Sequence, residues 1–214
     1  MTLIDLSHPL GENTPLFPGD APLSLTPCKT HEADGYNAFT LSTGLHAGTH
    51  LDAPLHLLPQ GKGVEDYPLA RFHGRGVLLD ARGQAVVHMR ADYEDLVRPG
   101  DAVLLYTGFD VWFMADPARY FGAHPVIDEA FCDFLLRRGA GLLGLDTPSP
   151  DRAPFPLHRK LLAGEVFLLE NLTNLGALAG GPPFEVLALP LRLKAEASLV
   201  RAVAFRGQTG MRDD

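Results

Sequence analysis

The hydrophobic and polar positions divide this chain into many short segments. Runs rich in Val, Leu and Phe, bounded by Gly, Pro or Asp, predict strands at residues 3–6, 38–45, 76–80, 85–88, 102–106, 141–146, 165–169, 184–189 and 200–205. Helical periodicity is rarer. It is clearest after Asp128, where Phe131, Phe134, Leu135 and Leu136 form one face and Gly139 stops the helix. A short helix is expected over 92–97, closed by Pro99-Gly100, and a third over 157–162. Strands outnumber helices and do not alternate regularly with them. That pattern disfavours a doubly wound parallel fold. It favours an α/β protein of the α+β type, with a mixed sheet or two packed sheets and helices on one side.

One stretch carries a different message. From His46 to His56 every even position except Gly48 and Pro54 is a histidine or an aspartate: His46, His50, Asp52 and His56. The odd positions from Leu45 to Leu57 are apolar apart from Thr49. In extended chain, side chains alternate between faces, so one face is apolar and the other bears the polar groups. A straight strand would nevertheless set His46 and His50 about 13 Å apart and His46 and His56 about 33 Å apart. A histidine nitrogen binds a metal from about 2 Å. The segment must therefore bend to gather these groups, and Gly48 and Pro54 are the residues best able to allow it. A helix would also bring His46 and His50 together, but Gly48, Thr49 and Pro54 form helices poorly. A strand end and turn, with Asp52 beside His50, is the better expectation.

Composition narrows the setting. At 214 residues with 46% hydrophobic and 21% charged residues, the chain suits one folded domain with its own core. A net charge of −8 without runs of Lys or Arg makes nucleic acid and anionic membranes poor partners. Cys28 and Cys132 form no C-x-x-C pair, which argues against thiolate metal sites and a disulfide framework. No secretory signal pattern opens the sequence and no apolar run is long enough to span a membrane, so a cytoplasmic protein is expected.

Imidazoles and a carboxylate without cysteine suit zinc, manganese or iron, and leave hydrolytic chemistry open. A bound divalent ion brings the pKa of its water to about 7, and hydrolysis then needs a proton carrier nearby. His56, past Pro54 and furthest from His50 and Asp52, suits that task, with a fourth-ligand role as the alternative. Glu170 ends the apolar run Val166-Phe-Leu-Leu169, where a carboxylate is costly to bury unless something positive meets it. His158 lies twelve residues earlier, after a Pro-rich turn. Either residue could reach the metal; either could instead simply face solvent.

The motif His46-x-Gly-Thr-His50-x-Asp52-x-Pro-x-His56 resembles the signature of the cyclase-family metal-dependent hydrolases, which include bacterial kynurenine formamidases and isatin hydrolases. The similarity runs along nearly the whole chain. It includes Asp5-Leu-Ser-His-Pro-Leu, Pro18-Gly-Asp20, Thr107-Gly-Phe, Gly144-Leu-Asp146-Thr-Pro-Ser, Glu170-Asn-Leu-Thr-Asn-Leu175 and Leu189-Pro-Leu-Arg-Leu193. The resemblance implies a mixed β/β/α sandwich assembled as a homodimer or homotetramer. It implies His46, His50, Asp52, His158 and Glu170 as ligands of two zinc ions per chain, with manganese an alternative, and His56 as proton donor and acceptor.

The implied reaction is hydroxide attack on the carbonyl of a small aromatic amide, with N-formylkynurenine giving formate and an arylamine. A related amidohydrolase opening a cyclic amide such as isatin, and a metal-binding protein without turnover, are the rival readings. Where the resembled formamidases carry tryptophan before the Pro-Gly-Asp turn, this chain has Phe17, a smaller aromatic face without an N–H donor. Phe17 is either a substrate contact or ordinary core packing. Ser198-Leu199-Val-Arg201 stands where the family often has Ser-Pro-Val-Arg, a change expected to alter a turn rather than chemistry.

Overall fold

The computed structural model describes residues 2–206. Its strands are β1 (Thr2–Asp5), β2 (Ser24–Lys29), β3 (Ala38–Ser42), β4 (His50–Asp52), β5 (His73–Asp80), β6 (Val86–Val87), β7 (Ala102–Tyr106), β8 (Val126–Ile127), β9 (Leu142–Leu145), β10 (Phe167–Glu170), β11 (Glu185–Leu187), β12 (Ala197–Leu199) and β13 (Val203–Arg206). The helices are α1 (His31–Asp34), α2 (Trp112–Ala115), α3 (Pro117–Ala123), α4 (Glu129–Arg138) and α5 (Pro156–Ala163). Nine strands form one mixed sheet in the order β1-β13-β11-β5-β7-β9-β10-β4-β12. Its centre, β5-β7-β9-β10, is parallel. Both flanks are antiparallel.

Parallel strands covered on both faces read as nearly continuous apolar runs, which is why Ala102–Leu105 and Phe167–Leu169 show no polar alternation. Their side chains still alternate between two cores. Ala102, Leu104, Phe167 and Leu169 enter one, together with Leu51 of β4. Val103, Leu105 and Leu168 enter the other, with Phe131, Phe134, Leu135, Leu161 and Leu162 from α4 and α5. The helix expected after Asp128 is α4. Asp128 caps it by accepting Phe131 N–H at 2.8 Å, and Gly139 ends it at φ 66°, in the left-handed region.

Several expectations need correction. The strand placed at 38–45 ends at Ser42 and is followed by turns and bends over 45–49. The helix at 92–97 reduces to a 3-10 turn, Ala91–Tyr93, which suffices to bury Tyr93 while Val97 is buried just beyond it. The strand at 200–205 starts only at Val203, because Ala197–Leu199 forms its own strand against β4. Strand β2 was not expected. Among the described residues it pairs with β3 alone, in a ribbon with both strands mostly exposed, so no buried face imposes an alternation. Helix α3 buries only Tyr120 and shows no apolar stripe; its signals are the Asp116 cap and Pro117. Among the described residues no helix is long and apolar enough to cross a membrane.

Candidate metal centre

Strand register builds the site. Leu51 and Leu169 point into one core, so their neighbours His50, Asp52 and Glu170 project from the opposite face, the side on which α5 packs. The β4–β10 pairing sets His50 opposite Glu170 and Asp52 opposite Leu168. A slip of one residue would turn every one of these groups over. Helix α5 buries His158, Leu161 and Leu162 on one stripe and so delivers its histidine to the same place. Its first turn is fixed by the Asp151 carboxylate, which accepts the N–H groups of Leu157 and His158 at 2.6 and 3.2 Å.

The expected bends are present on both sides of β4. Gly48 has φ 61°, in the left-handed region, so the turn favours glycine for its angle; a β-carbon there would lie 2.9 Å from the end of the Leu10 side chain, which would have to shift. Pro54 opens a 3-10 turn, Pro54–His56, that swings His56 back. The His46 and His56 rings then sit 4.4 Å apart, and His56 and His158 5.3 Å apart.

All five sequence-assigned ligands meet here. Asp52 lies at the middle, with Oδ1 3.0 Å from His46 Nδ1 and 3.5 Å from His50 Nε2, and Oδ2 3.3 Å from His158 Nε2. Glu170 stands 3.5 Å from His50 Nε2 and 3.8 Å from His158 Nδ1. Despite these distances, His50 Nε2, both Asp52 oxygens, His158 Nε2 and Glu170 Oε1 are buried without a hydrogen-bond partner. Buried polar atoms are normally satisfied, and five together mark a place prepared for something else. His46 and Asp52 converge with His56 as one possible ligand group, and His50, Asp52 and Glu170 form another. Nitrogen and carboxylate donors of this kind fit a divalent cation such as zinc or manganese.

The supporting shell points the donors inward. His50 Nδ1 is 2.9 Å from the Gly48 carbonyl; a proton there leaves Nε2 bare on the cluster side. Asn171 donates to the same carbonyl at 2.8 Å and accepts from the Tyr120 hydroxyl at 2.9 Å. Charge follows geometry. Burial opposes charge on His46, but Asp52, with Glu170 and Glu196, outweighs it and lifts that imidazole to about 9. Burial would raise Asp52, yet His50, His46 and His158 hold it well below the usual carboxylate range. Glu170 is raised by burial and by Asp52. His56 goes the other way. Burial is the main cause, Asp52 opposes it, and the imidazoles of His46, His158 and His50 help to bring it down to about 4.

The cluster forms the floor of a cavity of about 210 Å³. Phe17 stands at its rim, 37% exposed and edge-on to Phe121 at 5.7 Å, rather than in the core. Phe121, Phe155 and Ser149 also line the cavity and were not anticipated. Phe121 comes from α3, which lacks an apolar stripe. Phe155 takes a left-handed backbone, φ 59°, that no local pattern announces.

Known proteins resemble this chain in sequence and in fold. The chain is 28% identical over 205 residues to the kynurenine formamidase of Bacillus cytotoxicus, with 94% of this chain and 95% of the relative covered. An isatin hydrolase bound to the product analogue thioisatinate superposes with a TM-score of 0.86 at 21% identity, covering 94% of this chain and 91% of that one. Isatin hydrolase A from Labrenzia aggregata, bound to benzyl benzoate, gives 0.84 at 22% identity, with 95% and 93% covered. These structures establish the fold as cyclase-like. The family model described as "Putative cyclase" matches residues 4–152, more than half of the sequence and all of the His46–His56 motif. On that match, the chain belongs to the cyclase family.

Proposed function

We propose that this protein is a metal-dependent hydrolase of small aromatic amides, with N-formylkynurenine as its leading substrate. The observation that carries the reading is the set of five buried, unpartnered donor atoms around Asp52, with His56 at their edge. His46, His50, Asp52, His158 and Glu170 would hold the cation, zinc or manganese. Asp52, with both oxygens free, suits bridging two ions per chain. When bound, a divalent ion supplies Lewis acidity, polarising a carbonyl oxygen and bringing the pKa of water to about 7.

The chain's own residues handle the rest. His56, held down to about 4, is neutral at pH 7 and free to accept the proton released as water adds to the carbonyl carbon. It returns that proton to the amide nitrogen as the C–N bond breaks, so formate and an arylamine depart. Phe17, Phe121 and Phe155 offer aromatic faces that orient the ring and exclude water from the reacting carbonyl.

The test is turnover of zinc- or manganese-loaded protein on N-formylkynurenine, isatin and simple formanilides. It is paired with His56→Asn, which should keep its metal and lose activity by about 100- to 10,000-fold. Unchanged turnover in that variant would sink the role of His56, and loss of metal would make His56 a ligand. Saturation at no more than one ion per chain would count against a binuclear centre.

A second substrate reading, ring opening of a cyclic aryl amide such as isatin, has its own support. Asp20, Asp52 and Glu170 line the cavity, whereas among the described residues no Lys or Arg lines it to meet the amino-acid carboxylate of N-formylkynurenine. A cytoplasmic location is supported by the two unpaired cysteines, Cys28 and Cys132. Assembly as a homodimer or homotetramer is supported by exposed Phe39 and Leu41 on the β2–β3 ribbon, and light scattering would test it.

A further inference from the structure

Glu196 has no part in the reading above. It immediately precedes β12, and its carbonyl accepts the Ala53 N–H at 2.9 Å, which ties it to the end of β4 next to Asp52. Its carboxylate, 37% exposed, reaches to 3.5 Å from His46 Nε2. The other nitrogen of that ring, Nδ1, is 3.0 Å from Asp52 Oδ1. His46 therefore stands between two carboxylates, one buried and one at the solvent edge. Glu196 meets His46 from the solvent edge, at the ring nitrogen other than the one beside Asp52, and its place is behind that ring.

Binding a cation requires His46 to give up one of the protons its carboxylate neighbours favour; the neutral imidazole that results carries its remaining proton on one nitrogen and leaves the other bare. With the proton on Nε2, that hydrogen lies on the side of Glu196, whose carboxylate is 3.5 Å away, and Nδ1 stays open toward Asp52. The opposite tautomer would aim a lone pair at the Glu196 carboxylate and push an N–H into the donor cluster. At His50 the Gly48 carbonyl does the corresponding work from the other ring nitrogen, at 2.9 Å.

We infer that Glu196 is a positioning residue that holds His46 in its Nε2-protonated tautomer and keeps Nδ1 available to the cation. This rests on the reading of His46 as a ligand. Outer partners of ligating histidines typically carry about 10- to 100-fold of metal affinity. Chelator competition with zinc, on the full chain, should therefore show Glu196→Ala weakened by about that factor in the same binding phase that His46→Asn removes. Glu196→Gln keeps an acceptor oxygen and should lose less. The ¹⁵N shifts of the His46 ring in zinc-loaded protein should report a protonated Nε2 in the wild type and a tautomer mixture in Glu196→Ala.

Wild-type zinc affinity in both Glu196 variants, with binding still lost in His46→Asn, would overturn the role of Glu196 alone. Unchanged binding in His46→Asn would overturn the ligand reading and this inference with it. Should Glu196→Ala fail to fold, Glu196→Gln decides: wild-type affinity together with an unchanged His46 ring spectrum would contradict the inference.

Discussion

Two aspartates, Asp52 and Asp146, are both fully buried on neighbouring parts of the same sheet, yet they live in opposite surroundings. Asp146, just past β9, accepts hydrogen bonds from the Thr107 N–H and hydroxyl and from the Gly108 N–H. Neither oxygen of Asp52 has a hydrogen-bond partner. Their proton affinities invert what those bonds alone suggest. Burial raises Asp146 to about 6 in spite of its donors. Asp52 is held low because the imidazoles of His50 and His46 beside it oppose burial, where Asp146 meets neutral hydrogen-bond donors and the like charge of Asp110. The contrast separates two uses of a buried carboxylate. Asp146 ties the end of β7 to the end of β9, whereas both Asp52 oxygens are left without a hydrogen bond, as the proposed ligand role requires.

That comparison can be strained at several points. The largest stability effect belongs to the apolar side of β10. Phe167→Ala empties a site packed edge-on against Tyr67 at 4.7 Å and should cost about 3–5 kcal/mol in denaturant unfolding. Zinc bound per chain in the folded fraction should stay the same, since Phe167 and Glu170 face opposite sides of the strand.

Next comes Asp146. Its folded pKa, about 6, lies above the ordinary 3.8, so its contribution is fully present below about pH 3.8 and is lost as pH rises to 6. Stability measured as wild type minus Asp146→Asn should fall by about 3 kcal/mol across that window. A difference that is flat, or that rises with pH, would show that the donors outweigh burial.

A smaller effect comes from the cation itself. Zinc at 100 times its dissociation constant should raise wild-type stability by about 2.7 kcal/mol. Asp146→Asn should keep that increment and Asp52→Asn should lose it, as read by melting with and without a chelator.

Much of the site was legible in the sequence because its densest part is local. His46, His50, Asp52 and His56 share one alternating stretch, and distance alone required the bends now seen at Gly48 and Pro54. Glu170 was conspicuous as a carboxylate closing an apolar strand. His158 was weaker, since its place on the buried stripe of α5 depends on how that helix packs. The central strands were visible as apolar runs, although their parallel pairing was not, and α4 by its face and its caps.

What escaped notice depends on register or on exposure. Glu196 meets His46 only because β12 pairs with β4, a partnership 145 residues apart at the pair Ala197 and Asp52 (197 − 52). Asn171 matters through the Gly48 carbonyl and the Tyr120 hydroxyl, both far along the chain. The exposed ribbon β2–β3 buries no face and so left no hydrophobic rhythm to read.

The most direct measurement is the zinc content of wild type, Asp52→Asn and Asp146→Asn after loading and exhaustive dialysis. The account predicts that wild type and Asp146→Asn retain zinc in equal amounts, while folded Asp52→Asn retains none. Wild type that holds no zinc, or Asp52→Asn that holds as much as wild type, would contradict it.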